Sequence, residues 1–209
     1  MPAAGAAPPR GRFVTFEGID GSGKSSTLKQ VAAALRKDGV DVLATREETP
    51  GPTGELVRRA VAEHWPPRTV LHLFVADRTR HVADELAPAL ASGKLVLCDR
   101  FLHSTLAYQA ATMSGQPGGT LDELRRLHDG WCPLPDKVLL FDSDPAKAVA
   151  RTQGRSSTTP YEKVAFLEKV RANYKELAKA EPKRFVVLDA DQPQKGLVAD
   201  ALAAVRAAL

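Results

Sequence analysis

The chain has 209 residues, 44% hydrophobic and 26% charged, with a formal net charge of +4. That length suits one domain with a core large enough to fold alone. The mild basicity suits a cleft for anionic ligands, and no lysine block points to nucleic acid. Cys98 and Cys132 form no C-x-x-C pair and the five histidines show no ligand spacing. A disulfide scaffold and a protein-built transition-metal site are therefore not expected, and the free thiols fit a reducing, cytoplasmic setting. No run approaches eighteen apolar residues, so no membrane partner is expected. Residues 1–11, MPAAGAAPPRG, read as a disordered Ala/Pro-rich tail and residues 12–209 as a single domain.

In chain order, RFVTF (Arg12–Phe16) predicts a strand. SSTLKQVAAALRKDG predicts a helix with Leu28, Val31, Ala32 and Leu35 on one face and Gly39 as its stop. DVLATR (Asp41–Arg46) reads as a second strand, followed by the loop EETPGPTG and a helix over Glu55–Glu63. After the break at Trp65-Pro66-Pro67, a long helix is predicted from Thr69 to Ala91, ended by Gly93. KLVLCD (Lys94–Asp99) has the continuous apolar run of a buried parallel strand. Helices are predicted near Ser104–Ala111 and Leu121–His128, on either side of SGQPGG. KVLLFD (Lys137–Asp142) is the fourth strand, and Asp144-Pro145 is an N-cap with proline at the first helical position. A polar loop, TQGRSSTTP, precedes a helix over Glu162–Glu181 with Val164, Leu167, Val170, Tyr174 and Leu177 on one face. RFVVLD (Arg184–Asp189) is the fifth strand and Leu197–Leu209 the last helix. Strands alternating with helices predict a three-layer α/β fold: a five-stranded parallel sheet with helices on both faces and ligands beyond the strands' carboxyl ends.

Gly18 to Ser25 reads GIDGSGKS and fits G-x-x-x-x-G-K-[ST], between a predicted strand and a predicted helix as the motif requires. The glycines let backbone N–H groups turn inward around a polyphosphate, Lys24 can reach the β- and γ-phosphates, and the Ser25 hydroxyl can ligate Mg²⁺. This is the P-loop NTPase signature. Asp99-Arg100 closes the buried strand LVLCD at the same sheet end. An acid there can hold Mg²⁺ and an arginine can clamp a second phosphate. Arg46-Glu47 closes another strand. No N-K-x-D tetrapeptide for guanine occurs, and the chain is small for a motor. Arginines at several strand ends point to a kinase of phosphorylated small molecules.

On these and further residues the chain resembles the thymidylate kinase family. The family's F-E-G-x-[DE]-G-x-G-K-[ST] appears as Phe16 to Ser25 and its T-R-E as Thr45-Arg46-Glu47. Its helix with an aromatic and an arginine appears as LFVADR, Leu73–Arg78. Its D-R-[FY]…S-x-x-A-Y-Q appears as Asp99-Arg100-Phe101 and Ser104 to Gln109, and its P-D strand entry as Pro135-Asp136. The resemblance implies transfer of the ATP γ-phosphoryl group to dTMP, with Mg²⁺ accompanying ATP, in a homodimer. It implies that Gly18, Ile19, Asp20, Gly21, Ser22, Gly23, Lys24, Ser25 and Ser26 bind ATP. Phe74 would stack on thymine and Arg78 would hydrogen-bond its acceptor edge. Arg46 and Arg100 would hold the 5′-phosphate, Asp20 the 3′-hydroxyl, and Ser104 and Gln109 would complete the acceptor site. Tyr108 would crowd the 2′ position. Ser25, Glu17 and Asp99 would arrange Mg²⁺ and its waters, and Lys24, Asp99 and Arg100 would serve catalysis.

The polar stretch at about 151–161 resembles the family's lid. Some members carry an arginine inside the phosphate loop, where this chain has Gly21 and Ser22. The cation for the transferring phosphoryl group is then expected from the lid, from Arg155 first and Arg151 second. Two departures stand out. Many members read T-R-E-P where this chain has Thr45-Arg46-Glu47-Glu48, which removes a proline-shaped turn and adds an acid near the phosphate arginines. The lid, SSTTPYE, is short. Both leave room for a kinase of another nucleotide or nucleoside, or for a nucleotide-binding module with weakened catalysis.

Overall fold

The computed structural model describes residues 10–152 and 160–209, with the side chains of 160–162 left aside. Among the described residues, five strands, β1 (Phe13–Glu17), β2 (Val42–Arg46), β3 (Leu95–Asp99), β4 (Lys137–Asp142) and β5 (Phe185–Asp189), form one sheet in the order β2-β3-β1-β4-β5. Every pairing is parallel. The predicted three-layer α/β fold is the one observed. The helices are α1 (Lys24–Lys37), α2 (Pro52–Ala62), α3 (Pro67–His81), α4 (Ala87–Ala91), α5 (Leu102–Thr112), α6 (Leu121–Arg126), α7 (Pro145–Arg151), α8 (Pro160–Ala180) and α9 (Gln194–Arg206).

The strand pleat sorts the core into two halves. Phe13, Val96, Cys98, Val138, Leu140 and Phe185 face the cluster built with α5 and α8, including Leu106, Leu167, Val170, Tyr174 and Leu177. Val14, Phe16, Leu95, Leu97, Leu139 and Phe141 face α1 and α9, through Leu28, Val31, Leu35, Leu197, Ala201 and Val205. The periodic residues of the first and eighth helices are therefore the ones that pack.

Many element limits differ from expectation by one to three residues, and three of the differences have a plain local reason. α2 starts at Pro52, because proline is tolerated where the first N–H groups have no helical partner anyway. The long helix predicted over 69–91 begins at Pro67 and is one body, interrupted by a π turn at Val82–Leu86 in which Ala87 N–H bonds Val82 O. Pro88 follows directly; it has no N–H for the α-helical bond to Asp84, and a widened turn accommodates that loss. α9 starts at Gln194, three residues early, because its polar first turn (Gln194, Lys195, Gly196) carries no apolar period. No described helix is long and apolar enough to cross a membrane.

Candidate active site

The carboxyl ends of β1, β3 and β4 meet where the chain leaves β1 into the loop Gly18–Gly23 and then α1. Gly21 and Gly23 have φ of 82° and 86°. A Cβ on Gly21 would also run into the carbonyl oxygen of Ala148 on α7, so glycine is required on two counts. Lys24, 5% exposed, donates from Nζ to Ile19 O at 2.9 Å inside the loop. Burial first, and the charge of Arg100 second, lower its pKa to about 8. The Ser25 hydroxyl donates to Asp99 Oδ2. Two hard oxygen ligands side by side beneath a phosphate-binding loop suit Mg²⁺, which takes one or two protein oxygens and completes its shell with phosphate and water. No group of three or more His, Cys, Asp or Glu able to hold a metal occurs among the described residues.

Glu17 departs from its expected place beside that pair. Asp99 registers with Phe16, so it shares Phe16's face toward α1, and Glu17 points through the other face. There it is 0% exposed, and its carboxylate accepts from Phe101 N (2.9 Å), Ser104 Oγ and Tyr174 OH (3.1 Å). It fastens β1 to α5 and α8; with both oxygens bonded, it does not reach Ser25.

On the β3–β2 side lies a cavity of about 570 Å³. Asp20, Phe74, Arg78, Arg100, Ser104, Tyr108 and Gln109 all line it, so the structure brings together seven of the eight residues expected around an acceptor. Arg46 is not among the lining residues; it is exposed at the end of β2. Arg100 adopts φ of 68°, which turns its side chain back over the cavity. It donates to Asp20 Oδ1 at 2.6 Å and lies over the Tyr108 ring, 5.0 Å from the centroid. Tyr108 OH accepts from Asp20 N–H at 3.0 Å, and burial pushes its pKa up to about 12. Gln109 is 5% exposed with Oε1 unpartnered among the described residues.

Arg78 is 1% exposed and nearly saturated. Nε–H and one Nη2–H go to Glu47 Oε2, the other Nη2–H to Thr105 Oγ1 at 2.9 Å, and one Nη1–H to His128 Nε2 at 2.9 Å. Guanidinium has five N–H groups, so one, on Nη1, has no partner among the described residues, and Arg78 lines the cavity. Glu47 also accepts from His81 Nδ1 at 3.1 Å. Next along the chain, Thr49 gives Asp77 its N–H (2.8 Å) and its hydroxyl (2.6 Å). The segment after β2 thus turns firmly without the family's proline. Glu48 lines the cavity.

Arg151 sits beside the phosphate loop, donating to Gly21 O, Ser143 Oγ, Ala190 O and Asp191 Oδ1. Arg155 lies outside the described residues.

A model of the family described as thymidylate kinase matches residues 16–201. The chain belongs to the thymidylate kinase family. It is 42% identical over 187 residues to a probable thymidylate kinase of Methanosarcina mazei, covering 89% of this chain and 91% of that one. It is 40% identical over 198 residues to a probable thymidylate kinase of Halobacterium salinarum (94% and 96%). It is 40% identical over 200 residues to the thymidylate kinase of Dinoroseobacter shibae (92% and 95%). Like thymidylate kinases at large, the chain is a nucleoside monophosphate kinase. Sequence reasoning missed Glu47, Thr105 and His128 as partners of Arg78, and His81 as a partner of Glu47; the one signal was that a buried arginine needs a partner.

Proposed function

We propose that the enzyme transfers the γ-phosphoryl group of ATP to the 5′-phosphate of dTMP, giving dTDP and ADP. The observation that carries the choice of acceptor is the single uncommitted N–H of Arg78 in a cavity shared with Phe74. A donor there is matched by the 4-carbonyl of thymine and opposed by the 4-amino group of cytosine. Phe74 supplies the stacking face, and the unpartnered Gln109 Oε1 can accept from the ring N3–H. Arg100, with Arg46 at the rim, supplies cations for the 5′-phosphate. Tyr108 occupies the sugar end beside Asp20.

The nucleophile is an oxygen of the dTMP phosphate. It is already ionised near neutral pH, with a second pKa of about 6, so no general base is required. It attacks the γ-phosphorus as the bond to the β–γ bridging oxygen breaks, and the electron pair leaves with ADP. Lys24 meets the β/γ oxygens, and an arginine of the 151–161 lid neutralises charge on the group in flight. Ser25 with Asp99 would hold Mg²⁺, which would supply positive charge against the triphosphate. The homodimer and the cytoplasmic setting belong to the same reading.

A second reading, a kinase of another nucleotide, is favoured by Glu48, an acid in the acceptor cavity where many family members carry proline. A coupled assay with ATP and Mg²⁺ separates the two. The thymidylate reading expects kcat/KM for dTMP and dUMP to exceed that for dCMP and dGMP by about 10² or more, since the wrong base leaves buried polar groups unpaired. Equal values, or preference for a purine, would establish the second reading.

A further inference from the structure

We propose that His128, one layer behind the cavity, is a specificity-determining positioning residue. Its bare Nε2 accepts from Arg78 and thereby aims that guanidinium's one uncommitted N–H at the acceptor base. The proposal rests on the thymidylate reading and adds to it a residue from a separate element.

The geometry assigns the tautomer without reference to pH. His128 Nδ1 lies 2.9 Å from Leu124 O, and a carbonyl oxygen only accepts, so Nδ1 carries a proton. His128 Nε2 lies 2.9 Å from Arg78 Nη1, and a guanidinium only donates, so Nε2 is bare. Both partners demand the same neutral ring. Burial first, and the Arg78 charge second, hold its pKa near 4, which keeps that ring neutral. The ring is seated independently of the cavity. It is 3% exposed, lies 5.5 Å from Trp131, and follows α6, whose start is set by the Thr120–Glu123 capping box.

Charge neutralisation is not its contribution, since Glu47 supplies the anion. A carboxylate holding Nε and Nη2 leaves the guanidinium free to rock about that edge, with both Nη1 protons competing for the base. Thr105 and His128 bond the remaining sides. Once His128 takes one Nη1–H, the other has a single direction. A fixed donor discriminates between a carbonyl and an amino group; a rocking one does so less well.

Two substitutions separate this role from a structural one. An asparagine amide falls where Nδ1 stood and can serve only Leu124, whereas a glutamine amide falls where Nε2 stood and can accept from Arg78. With H128Q, the dTMP:dCMP ratio of kcat/KM should stay within about threefold of the unaltered enzyme. With H128N it should fall about tenfold, the worth of one hydrogen bond, through a raised KM for dTMP with kcat held within about twofold. If H128N keeps the ratio, or H128Q loses it, the proposal is overturned. If the unaltered enzyme shows no preference for dTMP, it is the thymidylate reading that fails. Should neither variant fold, ¹⁵N-histidine NMR on the unaltered chain decides: a bare Nε2 that shifts on adding dTMP supports the proposal, and an Nε2–H tautomer overturns it.

Discussion

Lys24 is buried, pointing at the carbonyl of Ile19, with a pKa near 8. Polyphosphate brings negative charge to that ammonium and must raise its pKa, so ATP binding takes up a proton when the free lysine is partly neutral. ATP affinity should therefore decline as pH rises through about 8. Calorimetry near pH 8.5 in buffers of different ionisation enthalpy should show uptake of about three quarters of a proton, and Lys24→Ala should abolish it. That variant should also lower kcat by about 10² or more. At this scale the phosphate loop was legible because its chemistry sits within eight consecutive residues. Glu17 was not, because its role depends on which way one residue of pleat turns it. Arg78 could be recognised as buried and in need of a partner, but Glu47 and His128 lie 31 and 50 residues away.

Among elements, the phosphate loop sits close against α7. Gly21→Ala places a methyl on a residue with φ of 82° and drives it into the Ala148 carbonyl, which is backbone and cannot swing aside. The left-handed conformation alone costs about 1–3 kcal/mol. The expected outcome is a lower Tm together with a loss in kcat/KM for ATP of at least about tenfold, measured by thermal denaturation and steady-state kinetics. Alternation of strand and helix was readable because each strand is short and apolar and each helix has a buried stripe. The π turn before Pro88 was hidden, since proline in a helical period announces a disturbance without saying whether the helix ends or widens.

Across the whole molecule, Glu181 ties the end of α8 to α5, α6 and the start of β5. His103 Nε2 lies 3.5 Å from it, Arg125 2.7 Å and Arg184 2.8 Å. His103 first, with Arg125, holds its pKa at about 2 against an ordinary 4.5. A depressed carboxylate stabilises the fold at pH above its unfolded value, and that contribution disappears as pH falls through the folded one. Tm should thus decline between pH of about 4.5 and about 2, and Glu181→Gln should flatten that part of the profile while lowering Tm at neutral pH. Strand order carries one more implication. With β1 at the centre, the cavity and Arg78 lie toward β3 and β2, while Arg151 and Asp191 lie toward β4 and β5. Among the described residues, the hydrogen-bond partners of Arg78 (Glu47, Thr105, His128) and those of Arg151 (Gly21, Ser143, Ala190, Asp191) are not shared. The free-energy effects of changes on the two flanks should therefore add, so that substitutions around Arg78 leave the energetics around Arg151 unchanged.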